Sequence, residues 1–92
     1  MNIRPPAVAG LFYPAAAPEL ARVVNTLLAD AAPAARGKPV PKAIIAPHAG
    51  YVYSGAIAAT AYARLAPARG IVTRVVLLGP VHRVPVRGLA LP

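Results

Sequence analysis

Residues 42–55, which read Lys-Ala-Ile-Ile-Ala-Pro-His-Ala-Gly-Tyr-Val-Tyr-Ser-Gly, decide the fold that the sequence predicts. The uninterrupted apolar run at 43–46 is typical of a strand that is covered on both faces. A proline ends this strand, and His48 follows at once. Ser54 can accept from the first amides of a helix, so it predicts the cap of a helix over 55–65. The stretch therefore reads as a strand, a turn with a histidine, and a helix.

A second stretch, residues 75–83, repeats the first half of this plan with Val-Val-Leu-Leu-Gly-Pro-Val-His-Arg. It predicts a strand over 72–78. The Gly79-Pro80 pair ends this strand, and His82 follows two residues after the proline. A strand, a helix and a second strand form a βαβ unit, whose strands are parallel and joined by a right-handed crossover. We therefore expect an α/β fold, with a βαβ unit over 42–78 in a mostly parallel sheet flanked by helices.

The remaining segments complete one partial domain over 1–92. Residues 1–17 carry several prolines and predict an irregular N-terminal arm. Residues 18–31 predict a helix, because its first turn holds a proline and an acid and its apolar residues recur at helical spacing. We expect residues 79–92 to form a loop around a metal site and the start of a further element.

Composition narrows the classes of partner. The chain has ten Lys and Arg against two acids, a net charge of +8, and 58% hydrophobic residues. The cations are scattered singly, without an aromatic platform, so nucleic acid is an unlikely partner. No apolar run reaches the roughly 20 residues of a membrane span, and we expect a cytoplasmic protein. The apolar content is high for this length, which predicts an oligomer or further polypeptide that covers the exposed sheet.

His48 and His82 are the only histidines, and each follows a predicted strand. Ligands of parallel sheets bind outside the carboxyl ends of the strands, and neighbouring strands lie about 4.8 Å apart. We therefore expect the two imidazoles to share a metal ion. The alternative is that each histidine is an ordinary hydrogen-bonded loop residue.

The same residues raise two other possibilities. A Ser54–His48 hydrolase is disfavoured, because no acid lies nearby to orient the imidazole and the turn lacks a G-x-S-x-G elbow. An anion site fits better, since a helix that starts at Ser54 favours negative charge and Arg83 is expected nearby. Tyr51 and Tyr53 are candidates to line such a substrate or anion pocket.

Three motifs in this order resemble the Memo family, known in bacteria and archaea as AmmeMemoRadiSam system protein B. They are Arg-Pro-Pro-Ala-Val-Ala-Gly-Leu-Phe-Tyr-Pro at 4–14, Ala-Pro-His-Ala-Gly-Tyr-Val-Tyr-Ser-Gly at 46–55, and Gly-Pro-Val-His-Arg at 79–83. The resemblance implies an α/β fold distantly like that of the class III extradiol dioxygenases, which are non-haem iron enzymes. It also implies that His48 and His82 are ligands of Fe(II) or another divalent transition metal.

One departure from the family concerns the third ligand, a cysteine in Memo and a carboxylate in the dioxygenases, which comes from further along the chain. This sequence has no cysteine, and its two acids, Glu19 and Asp30, fall in and near the predicted first helix. We expect the chain to be the N-terminal third of a Memo-like protein, a dioxygenase-like oxidoreductase at full length and inactive alone. The alternative is a non-catalytic signalling module that binds an anion, a small molecule or a peptide in the same crevice.

Overall fold

The computed structural model describes residues 3–91 as a pair of helices with long extended segments around them. Helix α1 spans Ala17–Ala35 and helix α2 spans Tyr51–Tyr62, and α2 continues directly into a 3₁₀ helix over Ala63–Ala68. Helix α1 packs against both α2 and the 3₁₀ helix. Within residues 3–91, no helix combines the length and the apolar character that crossing a bilayer requires.

Helix α1 is longer than the helix predicted over 18–31. It begins with Pro18 in its first turn and Glu19 near the positive end of the helix dipole. It also continues through Pro33, where the sequence predicted an end, because the residues around that proline are mostly alanines, the best helix formers. A proline in the last turn removes one hydrogen bond, and its carbonyl still accepts from the N–H of Arg36 at 3.4 Å.

Helix α2 starts four residues before the predicted position. Gly50 precedes its first turn, and Ser54 lies inside the helix as a buried residue rather than at its cap. The glycine that follows, Gly55, allows α1 to approach closely: a Cβ placed there would lie 3.0 Å from Cδ1 of Leu27. The α-helix is therefore displaced towards the N-terminus relative to the predicted range of 55–65, and residues 63–65 of that range belong to the 3₁₀ helix.

The core between these helices is small. Among residues 3–91, the buried hydrophobic residues are all alanines, and no large side chain is fully buried. Leu27 and Leu28 of α1 pack around Ala31, Ala59 and Ala63 as half-buried neighbours. The interface is therefore narrow, with close backbones and little interlocking of side chains.

The predicted parallel sheet is wrong. Residues 3–91 contain no strand, and their bridge pairing is an isolated contact between Ala9 and Tyr13. The segments predicted as strands, 43–46 and 72–78, are present without strand pairing, and Ile45 is 99% exposed. Apolar alternation and β-branching indicate how a segment packs once a neighbour exists, and no segment of the described chain provides that neighbour. The βαβ unit over 42–78 is therefore replaced by one helix between two unpaired extended segments.

Candidate metal centre

The two histidines lie side by side. Nε2 of His48 is 3.1 Å from Nε2 of His82, and the ring centroids are 5.3 Å apart with an interplanar angle of 40°. His48 precedes α2 by three residues, and His82 belongs to the extended segment that follows the 3₁₀ helix. Both rings are exposed. Two residues 34 positions apart thus present equivalent nitrogen atoms to one point at the surface.

The separation fits two ligands of one ion. Nitrogens that each lie 2.0–2.1 Å from a metal, at the angles of octahedral or tetrahedral coordination, stand about 2.9–3.4 Å apart. The observed 3.1 Å falls inside that interval. The same distance also suits a hydrogen bond from a protonated Nε2 to an unprotonated one. The distance is therefore compatible with a shared metal ion and with a shared proton.

The described part of the chain supplies no third ligand. No group of three or more His, Cys, Asp or Glu residues converges anywhere in residues 3–91. The two acids of the sequence, Glu19 and Asp30, both lie on α1, where Glu19 Oε1 is 3.9 Å from a guanidinium nitrogen of Arg22. The residues present therefore fit two positions of a metal's coordination sphere, and the described residues bring no third such side chain to them.

Ser54 fixes the turn that carries His48. Its Oγ donates to the carbonyl of Ala49 at 2.8 Å, with a longer contact of 3.4 Å to the carbonyl of Gly50. Only 7% of Ser54 is exposed. The hydroxyl is thus already used inside the protein, and its contribution is to hold the residues between His48 and α2.

The N-terminus of α2 is also partly used. The N–H of Tyr51 donates to the carbonyl of Phe12 at 2.8 Å, so the N-terminal arm occupies an amide that an anion would need. The amides of Tyr53 and Ser54 both donate to the carbonyl of Gly50. These contacts weaken the sequence-based case for an anion at this helix end.

The remaining predicted site residues fall in different places. Tyr51 is half-buried, and its ring centroid lies 5.7 Å from that of Tyr13 at an angle of 38°. Tyr53 is 86% exposed, and it is not among the residues that line the cavity beside His48. Arg83 is exposed and follows His82 directly. The structure therefore groups Tyr51 and Ser54 with His48, and Arg83 with His82, and leaves Tyr53 outside.

A cavity of about 460 Å³ adjoins His48. It lies between the N-terminal arm, α1 and α2, and Tyr51 and Ser54 also line it. Two further aromatic residues, Phe12 and Tyr13, contribute to its wall. Both belong to the arm that the sequence predicts as irregular, and the signal that marks them is an apolar Leu-Phe-Tyr triplet inside a proline-rich segment. The cavity can take an apolar group next to His48.

Comparison with known proteins identifies relatives along almost the whole chain. A MEMO1 family protein of Aquifex aeolicus is 48% identical over 82 residues, which cover 89% of this chain and 28% of that protein. A MEMO1 family protein of Ignicoccus hospitalis is 42% identical over 91 residues, which cover 89% of this chain and 31% of that protein. Protein MEMO1 of Homo sapiens is 41% identical over 83 residues, which cover 90% of this chain and 26% of that protein. No solved structure matches the chain significantly.

The chain spans less than a third of the length of these relatives. The family model described as Memo-like protein nevertheless matches residues 4–91 and includes all three motifs of the sequence. Because this match extends over nearly every residue, the chain belongs to the Memo-like protein family.

Proposed function

We propose that this Memo-like chain binds a divalent transition metal, Fe(II) or a similar ion, through Nε2 of His48 and Nε2 of His82. The observation that carries the proposal is the 3.1 Å separation of the two nitrogens. Imidazole is a preferred ligand of Fe, Zn, Cu and Ni. Family membership adds support, since the motifs that contain both histidines lie within the matched residues.

A complete centre of the non-haem iron type has two histidines, one further protein ligand and open positions. The chain offers the two histidines, and the relatives carry more than two thirds of their length outside the match. We propose that the third ligand comes from polypeptide equivalent to that remainder. A bound ion would supply Lewis-acid and oxygen chemistry, and a dioxygenase-like activity belongs to that complete form.

The residues of this chain would position both the ligands and a substrate. The Ser54 hydroxyl holds the turn after His48. In the cavity beside His48, the rings of Phe12 and Tyr51 would shield an apolar part of a substrate from water. Arg83 would place a positive charge next to His82 and attract an anionic substrate. The substrate class that fits these features is a small apolar molecule with one anionic or ionisable end.

A metal titration tests the proposal. Stoichiometric Co(II) or Fe(II) binding, followed by absorption and by metal analysis after gel filtration, is expected for the wild type. It should disappear in the His48→Ala/His82→Ala double variant. Val81→Ala is the matched control, because it changes the residue next to His82 without removing a donor atom. Equal metal content in the double variant and the control would refute the site.

The second candidate is a non-catalytic module that binds an anion, a small molecule or a peptide at the same place. The cavity beside His48 favours this candidate. An anion at the N-terminus of α2 is disfavoured, because the N–H of Tyr51 and the hydroxyl of Ser54 already donate to backbone carbonyls. Ligand binding that persists in a chelator, without turnover in its absence, would support this candidate over the metal centre. A cytoplasmic location stays a prediction under either function.

A further inference from the structure

Residues 8–13 of the N-terminal arm form a loop that is held together by its own backbone. The N–H groups of Leu11 and Phe12 both donate to the carbonyl of Val8, at 3.0 and 2.9 Å, and the N–H of Gly10 donates to the carbonyl of Tyr13 at 2.7 Å. Gly10 has a φ of +81°, a backbone conformation that glycine adopts without strain. The loop is therefore a compact unit whose shape does not depend on the helices.

Within residues 3–91, a single hydrogen bond joins this loop to the helices. It runs from the N–H of Tyr51 to the carbonyl of Phe12 at 2.8 Å. The rings of Tyr13 and Tyr51 add an aromatic contact, with 5.7 Å between their centroids. A hydrogen bond and a ring pair each change an equilibrium by about twofold to tenfold. Loss of both therefore corresponds to a detached population of about 1–20% at equilibrium.

Cavities lie on both sides of the loop. The cavity of about 460 Å³ beside His48 and a second cavity of about 510 Å³ both have Phe12 and Tyr13 in their walls. The second cavity lies towards the start of α1, where Glu19 and Val23 line it. Close packing is what holds an interior segment in place, and these two arm residues border a cavity on either side. The loop can therefore move without displacing α1 or α2.

We propose that residues 8–13 are a lid over the cavity beside His48, and that the hydrogen bond from Tyr51 to Phe12 is its latch. The lid moves as a unit about residues 14–16, which lie between it and α1. Its opening admits a small apolar molecule to the cavity, and its closing places Phe12 and Tyr13 over that molecule. The proposal concerns entry to the cavity and requires no metal at the histidine pair, so the lid and the metal centre can each fail without the other.

Position 51 allows the latch to be removed by itself. Tyr51 is the first residue of α2, where proline is tolerated because the N–H that it lacks has no intrahelical partner. Gly50 already has the extended ψ of 150° that a residue before proline adopts. Tyr51→Pro therefore removes both the ring and the latch, whereas Tyr51→Ala removes the ring and keeps the latch. The difference between the two variants measures the hydrogen bond.

Toluene is the probe of entry to the cavity. Its binding is followed by NMR at Leu28 and Ala58, which line the cavity beside His48 and not the second one. We expect its association rate to be about twofold to tenfold higher in Tyr51→Pro than in Tyr51→Ala, because loss of the latch raises the open population. Circular dichroism should show equal helix content in the two variants. Equal association rates, or no toluene binding in either variant, would overturn the proposal.

Hydrogen exchange tests the movement of the lid in the wild type. The amide of Tyr51 should have a protection factor at least about tenfold lower than that of Ala59, inside α2, because every opening of the lid releases it. The amide of Gly10 should be better protected than that of Tyr51, since its bond lies within the lid. Equal protection of Tyr51 and Ala59 would show that the loop leaves only when the helices unfold. Protection of Gly10 no higher than that of Tyr51 would show that the loop unfolds instead of moving as a unit, and either result would overturn the proposal.

Discussion

The carbonyl of Phe12 accepts a hydrogen bond of 2.8 Å from the N–H of Tyr51, and this bond ties the N-terminal arm to the first turn of α2. The bond satisfies an amide that a helix start leaves without an intrahelical partner. It also brings Tyr13 against the ring of Tyr51 and closes one side of the cavity beside His48. The arm is therefore a wall of the candidate site as well as a connection to the chain start.

Replacement of two tyrosines in the first turn of α2, Tyr51 and Tyr53, should separate their roles. Tyr51→Ala removes a half-buried ring that stacks on Tyr13, and we expect it to lower the free energy of unfolding by about 1–2 kcal/mol. Tyr53→Ala is the matched control, since that ring is exposed, and its effect should stay within about 0.5 kcal/mol. Urea denaturation followed by circular dichroism measures both. Similar losses from the two variants would contradict the arrangement of the aromatic pair.

The hydroxyl of Ser54 should matter more than a similar hydroxyl on the surface. Ser54→Ala removes a largely buried hydrogen bond to Ala49, whereas Thr60→Ala removes an exposed bond to the carbonyl of Ile57. Both changes put alanine into the same helix, so most of the gain in helix propensity cancels in the comparison. We expect Ser54→Ala to be less stable than Thr60→Ala by about 1 kcal/mol in urea denaturation. A Thr60→Ala variant that is the less stable of the two would show that the Ser54 bond does not hold the turn.

The contact between α1 and α2 should not tolerate a side chain at Gly55. Gly55→Leu places carbon atoms where Leu27 already lies, and we expect overpacking to cost about 1–3 kcal/mol in the free energy of unfolding. Ala56→Leu, at the neighbouring exposed position of α2, controls for the effect of leucine in this helix. Equal stability of the two variants, measured by thermal and urea unfolding, would be inconsistent with close approach of the helices at Gly55.

Metal should stabilise the chain only through the histidine pair. An ion that binds the folded state at a hundred times its dissociation constant adds about 2.7 kcal/mol to the free energy of unfolding, so Co(II) should raise the melting temperature of the wild type. His48→Ala and His82→Ala should each abolish this rise, because one remaining imidazole is a weak site.

In a chelator the same two variants should differ from the wild type by less than about 1 kcal/mol, since a hydrogen bond between exposed rings contributes little. A rise in melting temperature that survives in His82→Ala would show that the ion binds elsewhere. A large loss of stability in chelator would show that the two rings act mainly as a structural contact.

The helices could be predicted from sequence because their signals are local. The proline and acid at the start of α1 and the spacing of its leucines and valines identify that helix, and the small residues of α2 identify its contact face. The start of α2 was misjudged because a serine inside a helix has the same sequence signature as a serine at its cap. The hydrogen bonds of Ser54 distinguish the two, because its N–H donates to the carbonyl of Gly50 and its hydroxyl donates back to the carbonyl of Ala49.

Local signals could not show whether a sheet forms, because strand pairing depends on which segment lies beside a predicted strand. Residues 43–46 and 72–78 have the composition of buried strands, yet they remain unpaired in the described structure. The expected approach of His48 and His82 was argued from neighbouring strands that are absent, and the nitrogens are nevertheless 3.1 Å apart. The sequence thus pointed to the pair, while the reason for their proximity lies in the turn before α2 and the course of the segment after the 3₁₀ helix.

The alanine core also sets how the chain responds to heat. The heat capacity of unfolding grows with the apolar area that becomes hydrated, and a typical domain of 92 residues has a change of about 1.1–1.4 kcal/mol/K. In the part of this chain that the structure describes, the buried hydrophobic residues are four alanines, and most large apolar side chains are hydrated before unfolding begins. Calorimetry of this chain should therefore record a small and broad endotherm.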